Sequence, residues 1–165
     1  MAKADWQADY VAYFHARAHH LRRTAYLLCN DWHVAEDLVQ ATFLRLYPRW
    51  RRIRPATADA YARRVLFNLY LSSRRSRPAE TVTDSPPDRP APEGRDSDAR
   101  LDIAGVLATL PARQRAMVVL RYLEDLPIAE VSALLGVAEG TVKSQTARGL
   151  QALRDALGAP ASQER

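Results

Sequence analysis

The stretch from Pro78 to Asp98 divides the sequence into two blocks. It holds five prolines and six acids against two arginines, a local charge of −4, and Val82 is its one branched apolar residue. A segment so poor in apolar surface cannot offset the entropy of ordering its backbone. It reads as a flexible linker over 78–98, with separate domains expected at 5–77 and 99–157.

On both sides of this linker apolar residues recur at helical spacing, and no segment alternates at period two. Tyr10, Phe14, Leu21, Ala25 and Leu28 mark a first helix. Asp31 is a suitable N-cap for a second, which carries Ala35, Leu38, Val39, Thr42, Phe43, Leu46 and Tyr47 before Pro48 and Pro55 interrupt it. A third begins near Thr57 with Ala58, Tyr61, Ala62, Val65, Leu66 and Leu69 as its stripe, which leaves Phe67 and Tyr70 expected on the exposed side. After the linker four shorter helices are predicted. Leu101, Val106, Leu107 and Leu110 mark the first, and Pro111 separates it from the second, with Met117, Val118 and Tyr122 inward. Pro127 opens the third, with Ile128, Val131, Leu134 and Leu135 facing the core, and Gly136 ends it. The fourth, from about Glu139, carries Val142, Leu150, Leu153 and Leu157. The expected class is all-α, in two small helical domains.

Charge points to the kind of partner. The chain carries a net +5 with a pI near 9.7, which suits an acidic ligand, most simply nucleic acid. An anionic membrane surface is the rival, but arginines interrupt every apolar run, so no membrane insertion is expected. Residues Met1 to Trp6 show no apolar core of a secretory signal, and a cytoplasmic location is expected. Only Lys3 and Lys143 among 24 basic residues are lysine, a bias that a GC-rich genome would also produce.

Residues Ile128 to Leu150 have the pattern of a helix-turn-helix. A tight turn at Gly136 joins two helices locked by Val131, Leu135, Val137, Val142 and Leu150. The second helix is left with a polar face of Glu139, Thr141, Lys143, Ser144, Gln145 and Arg148, side chains suited to a major groove. An ordinary helical hairpin with a solvated face would show a similar pattern.

A second basic feature lies between Arg45 and Arg77, where ten arginines face one acid, Asp59. Tyr47, Trp50, Tyr61, Phe67 and Tyr70 are interleaved with them. Arginine binds phosphate whatever the sequence, and exposed rings stack on unpaired bases, so the block suits melted DNA. The alternative is a solvated arginine face beside core aromatics, which is the expectation for Tyr61.

At these residues the chain resembles the extracytoplasmic function (ECF) sigma factors, the SigE-like subgroup in particular. Residues 31–43 resemble region 2.2, residues 63–70 the region 2.3–2.4 helix, and residues 110–115 with 140–144 resemble region 4. The resemblance implies a region 2 three-helix domain and a region 4 helix-turn-helix domain. It implies that Asp37 and Gln40, with Phe43 as a candidate that its stripe position turns inward, meet the β′ clamp helices of RNA polymerase core. It places Asn68, Arg63, Arg64, Tyr70, Arg74 and Arg75 against the melted −10 element. It assigns Lys143, Ser144, Gln145 and Arg148 to the −35 element, with Thr141 on a phosphate near the helix N-terminus. The implied partners are core polymerase (β′ clamp helices and β flap), promoter DNA and, in many relatives, an anti-sigma factor. Family linkers follow the RNA exit path, a role that the acids of 78–98 would suit. Ser72, Gln145 and Ala147 depart from residues common in the family, so the promoter sequence does not follow.

Two other classes fit less well. An enzyme or metal protein would use His15, His19, His20, Cys29 and His33, but Cys29 lies ten residues from His19, about 15 Å along a helix. The adjacent Glu36 and Asp37 diverge on a helix, no glycine-rich phosphate loop occurs, and the single cysteine excludes an internal disulfide. No catalytic residue, metal site or cofactor is expected. A conventional regulator would need a ligand pocket or dimerisation helix in residues 1–77, where arginines and aromatics stand instead.

Overall fold

The computed structural model describes residues 3–76 and 103–158, and the 78–98 segment lies outside them. The chain divides into two compact units, Met1–Arg89 and Pro90–Arg165. Every regular element among the described residues is helical.

The first unit is built from α1 (Lys3–Cys29), α2 (Trp32–Leu46) and α3 (Ala58–Ser76), with two 3₁₀ turns at Tyr47–Arg52 and Pro55–Thr57 between the last two. The chain reverses between α1 and α2 through Asn30, which takes a positive φ of 54°. Asp31 then caps α2, its carboxylate accepting from the backbone N–H of His33 at 2.8 Å and of Val34 at 3.2 Å. The α2 stripe buries Ala35, Leu38, Val39, Thr42, Phe43 and Leu46, and the Thr42 hydroxyl donates back to the Leu38 carbonyl. Against it pack Leu21, Ala25 and Leu28 of α1, with Tyr10 and Phe14 half-buried an end-turn away. The Phe14 and Phe43 rings meet edge-on at 4.7 Å.

On α3 the buried face is centred differently from the sequence expectation. Ala58, Ala62 and Leu66 are buried as expected, but Phe67 and Tyr70 are wholly buried too, and Tyr61, Val65 and Leu69 are half-exposed. The expected exposure of Phe67 and Tyr70 is therefore corrected. Burial gain scales with apolar area, so two large rings pull the helix round further than the smaller residues of the proposed stripe.

The second unit comprises a short helix α4 (103–107), α5 (Ala112–Val118), α6 (Ile128–Leu135) and α7 (Glu139–Ala156). Leu107, Leu110, Met117, Val119, Leu120, Val131 and Val142 form its core. Beyond Val118 the chain continues as a π-turn over Val119–Leu123, closed by the Glu124 N–H donating to the Val119 carbonyl. The wider turn shifts its later side chains round the axis, so Tyr122, expected inward, stands 48% exposed. Leu157, also expected inward, is exposed at the end of α7, one turn beyond the half-buried Leu153. Gly136 ends α6 in the left-handed conformation, φ 67°, as its place in the turn requires. Gly149 allows α7 to approach α5: a Cβ there would lie 2.6 Å from Val118 Cγ2.

Candidate nucleic-acid interface

In the second unit α7 turns Val142, Thr146 and Gly149 inward. The helical period then puts Thr141, Lys143, Ser144, Ala147, Arg148 and Gln151 outward, all exposed. Four of the five −35 candidates, Thr141, Lys143, Ser144 and Arg148, are thus accessible, with Ser144 and Arg148 one turn apart on the same face. The fifth, Gln145, is half-buried on the flank toward α5, where its side-chain carbonyl accepts from Gln114 Nε2 at 2.9 Å. On the opposite flank a groove of about 430 Å³ is lined by Arg121, Tyr122, Lys143, Ala147 and Arg154 among others. None of its three cations is paired with a carboxylate among the described residues.

In the first unit α3 presents Arg64, Asn68, Ser72 and Arg75 along its exposed side, at spacings of four, four and three residues. Asn68 is therefore flanked by guanidinium groups on one face. Arg74 is exposed beside this line and Arg63 half-exposed, while Arg77 lies outside the described residues. Tyr70 does not belong to the surface. Its ring is buried with the Arg74 guanidinium 5.6 Å from its centroid, so it cannot offer an open face to a base. Arg45, Arg49, Arg51, Arg52 and Arg54 are exposed around the 3₁₀ turns. Trp50 is half-buried between Tyr10 and Tyr13, with ring centroids at 5.6 and 4.8 Å. Asp59, the one acid of the block, is already engaged: Tyr13 donates to it at 2.9 Å and Arg17 pairs with it at 2.9 Å. Burial, then this hydrogen bond, hold the Tyr13 hydroxyl well above the ordinary tyrosine range.

A third surface lies on α2. Asp37 and Gln40 are exposed, while Glu36 turns back to pair with Arg22. Phe43 is 3% exposed and packs on Tyr10 and Phe14, so its candidacy as a partner contact is corrected. The sequence reading missed Leu44, which is 74% exposed one turn beyond Gln40. It borders a groove of about 530 Å³ that also includes Tyr10, Val11, Phe14, Gln40 and Phe43. Its signal was an aliphatic residue standing just off the buried stripe of α2. Among the described residues no group of three His, Cys, Asp or Glu side chains is placed to hold a metal. No described helix is long and apolar enough to cross a membrane.

These surfaces fall within two family matches. Sigma-70 region 2 matches residues 13–79, and Sigma-70, region 4 matches residues 100–153. The chain belongs to the sigma-70 family, in its ECF group. The RNA polymerase sigma-E factor of Streptomyces coelicolor is 38% identical over 152 residues, covering 90% of this chain and 86% of that protein. The ECF RNA polymerase sigma factor SigE of Mycolicibacterium smegmatis is 38% identical over 150 residues, covering 86% of this chain but 58% of that protein. Among solved structures the sigma factor RpoE of Bartonella quintana, in complex with the anti-sigma factor NepR, has the same fold. Its TM-score is 0.68 at 23% identity, covering 92% of this chain and 98% of that one. CnrH, in complex with the cytosolic domain of CnrY, superposes with a TM-score of 0.65 at 19% identity, covering 94% and 91%. Sigma factors are transcription initiation factors and not enzymes.

Proposed function

We infer that this chain is an alternative sigma factor that binds RNA polymerase core in the cytoplasm and directs initiation at promoters carrying its own −35 and −10 elements. Residues 5–77 act as the region 2 domain and 99–157 as the region 4 domain, with 78–98 as the link between them. The exposed α2 face of Asp37, Gln40 and Leu44 meets the β′ clamp helices. Asn68, with Arg63, Arg64, Arg74 and Arg75 around it, holds the melted −10 strand: the guanidinium groups neutralise phosphate and the amide reads one unstacked base. On the region 4 side, Lys143, Ser144 and Arg148 reach base edges of the −35 duplex and Thr141 a phosphate. The β flap is a further contact for region 4. An anti-sigma factor is the regulatory partner we propose, by analogy with the complexes of the Bartonella and CnrH proteins.

The observation that carries this reading is the coincidence of both family matches with exposed polar faces, on α3 in one unit and α7 in the other. Run-off transcription by purified core polymerase over a genomic fragment library, with and without the protein, is the test. Defined transcripts that require the protein, and share two spaced sequence elements, are expected. Duplex binding without polymerase, and no new transcripts with it, would mean a conventional regulator instead.

A further inference from the structure

The recognition helix α7 is set against its own domain by more than apolar packing. At Gly149 the backbone of α7 comes so close to α5 that an added Cβ would stand 3.4 Å from Gln114 Cγ, as well as 2.6 Å from Val118 Cγ2. The aliphatic stem of Gln114 therefore runs along α7, and its amide arrives at Gln145 with little freedom left. The Nε2 to Oε1 bond of 2.9 Å joins side chains 31 residues apart in partly buried surroundings, where water competes weakly for it. Gln145 is the immediate neighbour of Ser144 and lies three residues before Arg148. A helix with side chains is about 5–6 Å in radius, so turning it by ten degrees about its axis moves an outer atom by about 1 Å. That displacement carries a base-edge hydrogen bond from its optimum to beyond its useful range.

We propose that Gln114 is a positioning residue for −35 recognition: its hydrogen bond to Gln145 fixes the rotation of α7 and so decides which base edges Ser144 and Arg148 meet. This rests on the reading that α7 enters the −35 duplex. It gives Gln145 an indirect role, spending its carbonyl on α5 while its neighbours face DNA. Sequence preference at −35 then depends on a residue of α5 that touches no base.

The test uses holoenzyme assembled from core polymerase and the full chain, on a promoter recovered by run-off with its −35 element randomised. Gln114→Met keeps the stem and removes the donor. Gln114→Glu keeps a bond, because the Gln145 amide can turn over and donate to the carboxylate. The expected result is that the Met variant loses about fivefold or more of the preference for the best −35 element over its single-base neighbours, the scale of one good base contact. The Glu variant should keep the wild-type ranking, and −10 preference and core affinity should be unchanged in both. Should Gln114→Met fail to fold, Gln145→Met removes the same bond from the other side and must flatten the same preference. A Gln114→Met or folded Gln145→Met holoenzyme that ranks −35 elements as the wild type does overturns the proposal. A wild-type holoenzyme indifferent to the −35 sequence, yet active on the promoter, overturns instead the reading on which it rests.

Discussion

The guanidinium of Arg115 donates to the Leu110 carbonyl at 2.8 Å, from a side chain only 5% exposed as a residue. It also donates to the carbonyls of Leu107 at 2.8 Å and Ala108 at 3.1 Å. One planar fork therefore closes the C-terminal end of α4 and the turn before Pro111, where a helix leaves carbonyls without partners. Arg115→Ala should destabilise the second unit by about 1–3 kcal/mol, since it takes the guanidinium donor from the buried Leu110 carbonyl. Arg115→Lys should recover only part of this, because an ammonium cannot match the fork. Trp6, Trp32 and Trp50 all lie in the first unit. Denaturant melts followed by tryptophan fluorescence should then be unchanged, while far-UV circular dichroism shows the loss.

Gly149→Ala should also destabilise the second unit. The new methyl meets Val118, itself buried, at a distance that forces one helix to move. Overpacking of this kind costs about 1–3 kcal/mol, against a gain of about 1 kcal/mol in helix propensity. Adding Val118→Ala makes room, so the double variant should melt at a higher temperature than Gly149→Ala alone.

Neighbouring residues on α2 should separate folding from polymerase binding. Phe43→Ala should cost the first unit about 3–5 kcal/mol in a chemical melt, as expected for a large core ring. Leu44→Ala should leave that melt unchanged and weaken core binding by about 1–2 kcal/mol, measured by fluorescence anisotropy of labelled protein against core polymerase.

Arg154 and Arg148 should differ in what they read. Arg154 borders the cationic groove beside α7, so Arg154→Ala should weaken holoenzyme binding to all −35 sequences alike and lower the salt slope by about one. Arg148→Ala should cost about 1–3 kcal/mol at particular base pairs. Titrations at several salt concentrations on matched and mismatched duplexes distinguish the two. An unchanged slope for Arg154→Ala would remove it from the interface.

Raising the pH above 10 should lower the stability of the first unit. The folded state holds the Tyr13 hydroxyl above its ordinary value of 10.0, so it binds this proton more tightly than the unfolded chain does. That stability is fully present below pH 10 and is lost as pH rises above it. Tyr13→Phe should flatten the decline, read by tryptophan fluorescence between pH 9 and 11, about the range where an unfolded tyrosine titrates.

Much of this architecture was legible in the residues. Asp31 as a cap, Gly136 as a left-handed stop and Glu139 as a helix start follow from local chemistry that tertiary packing had no reason to override. The stripe of α2 was readable because Leu38, Val39, Phe43 and Leu46 recur on one face at helical spacing. On α3 small alanines suggested a face that Phe67 and Tyr70 then displaced. Tyr122 was misplaced because nothing in Val119–Leu123 announces a π-turn; it arises from how the segment packs. In the sites, exposed polar positions at helical spacing were found readily. Contacts that bind distant residues, such as Gln114 to Gln145 or Tyr13 to Asp59, leave no periodic trace.

The π-turn gives the second unit a kind of slack. Between Val119 and Leu123 the backbone holds one residue more than an α-helical turn needs, with the Leu126 N–H reaching back to the Leu120 carbonyl. A one-residue deletion there can be absorbed as ordinary helix instead of propagating into α6 and α7. Chain length at this point is thus a quiet variable, able to change which side chain borders α7 while the helix-turn-helix itself stays in register.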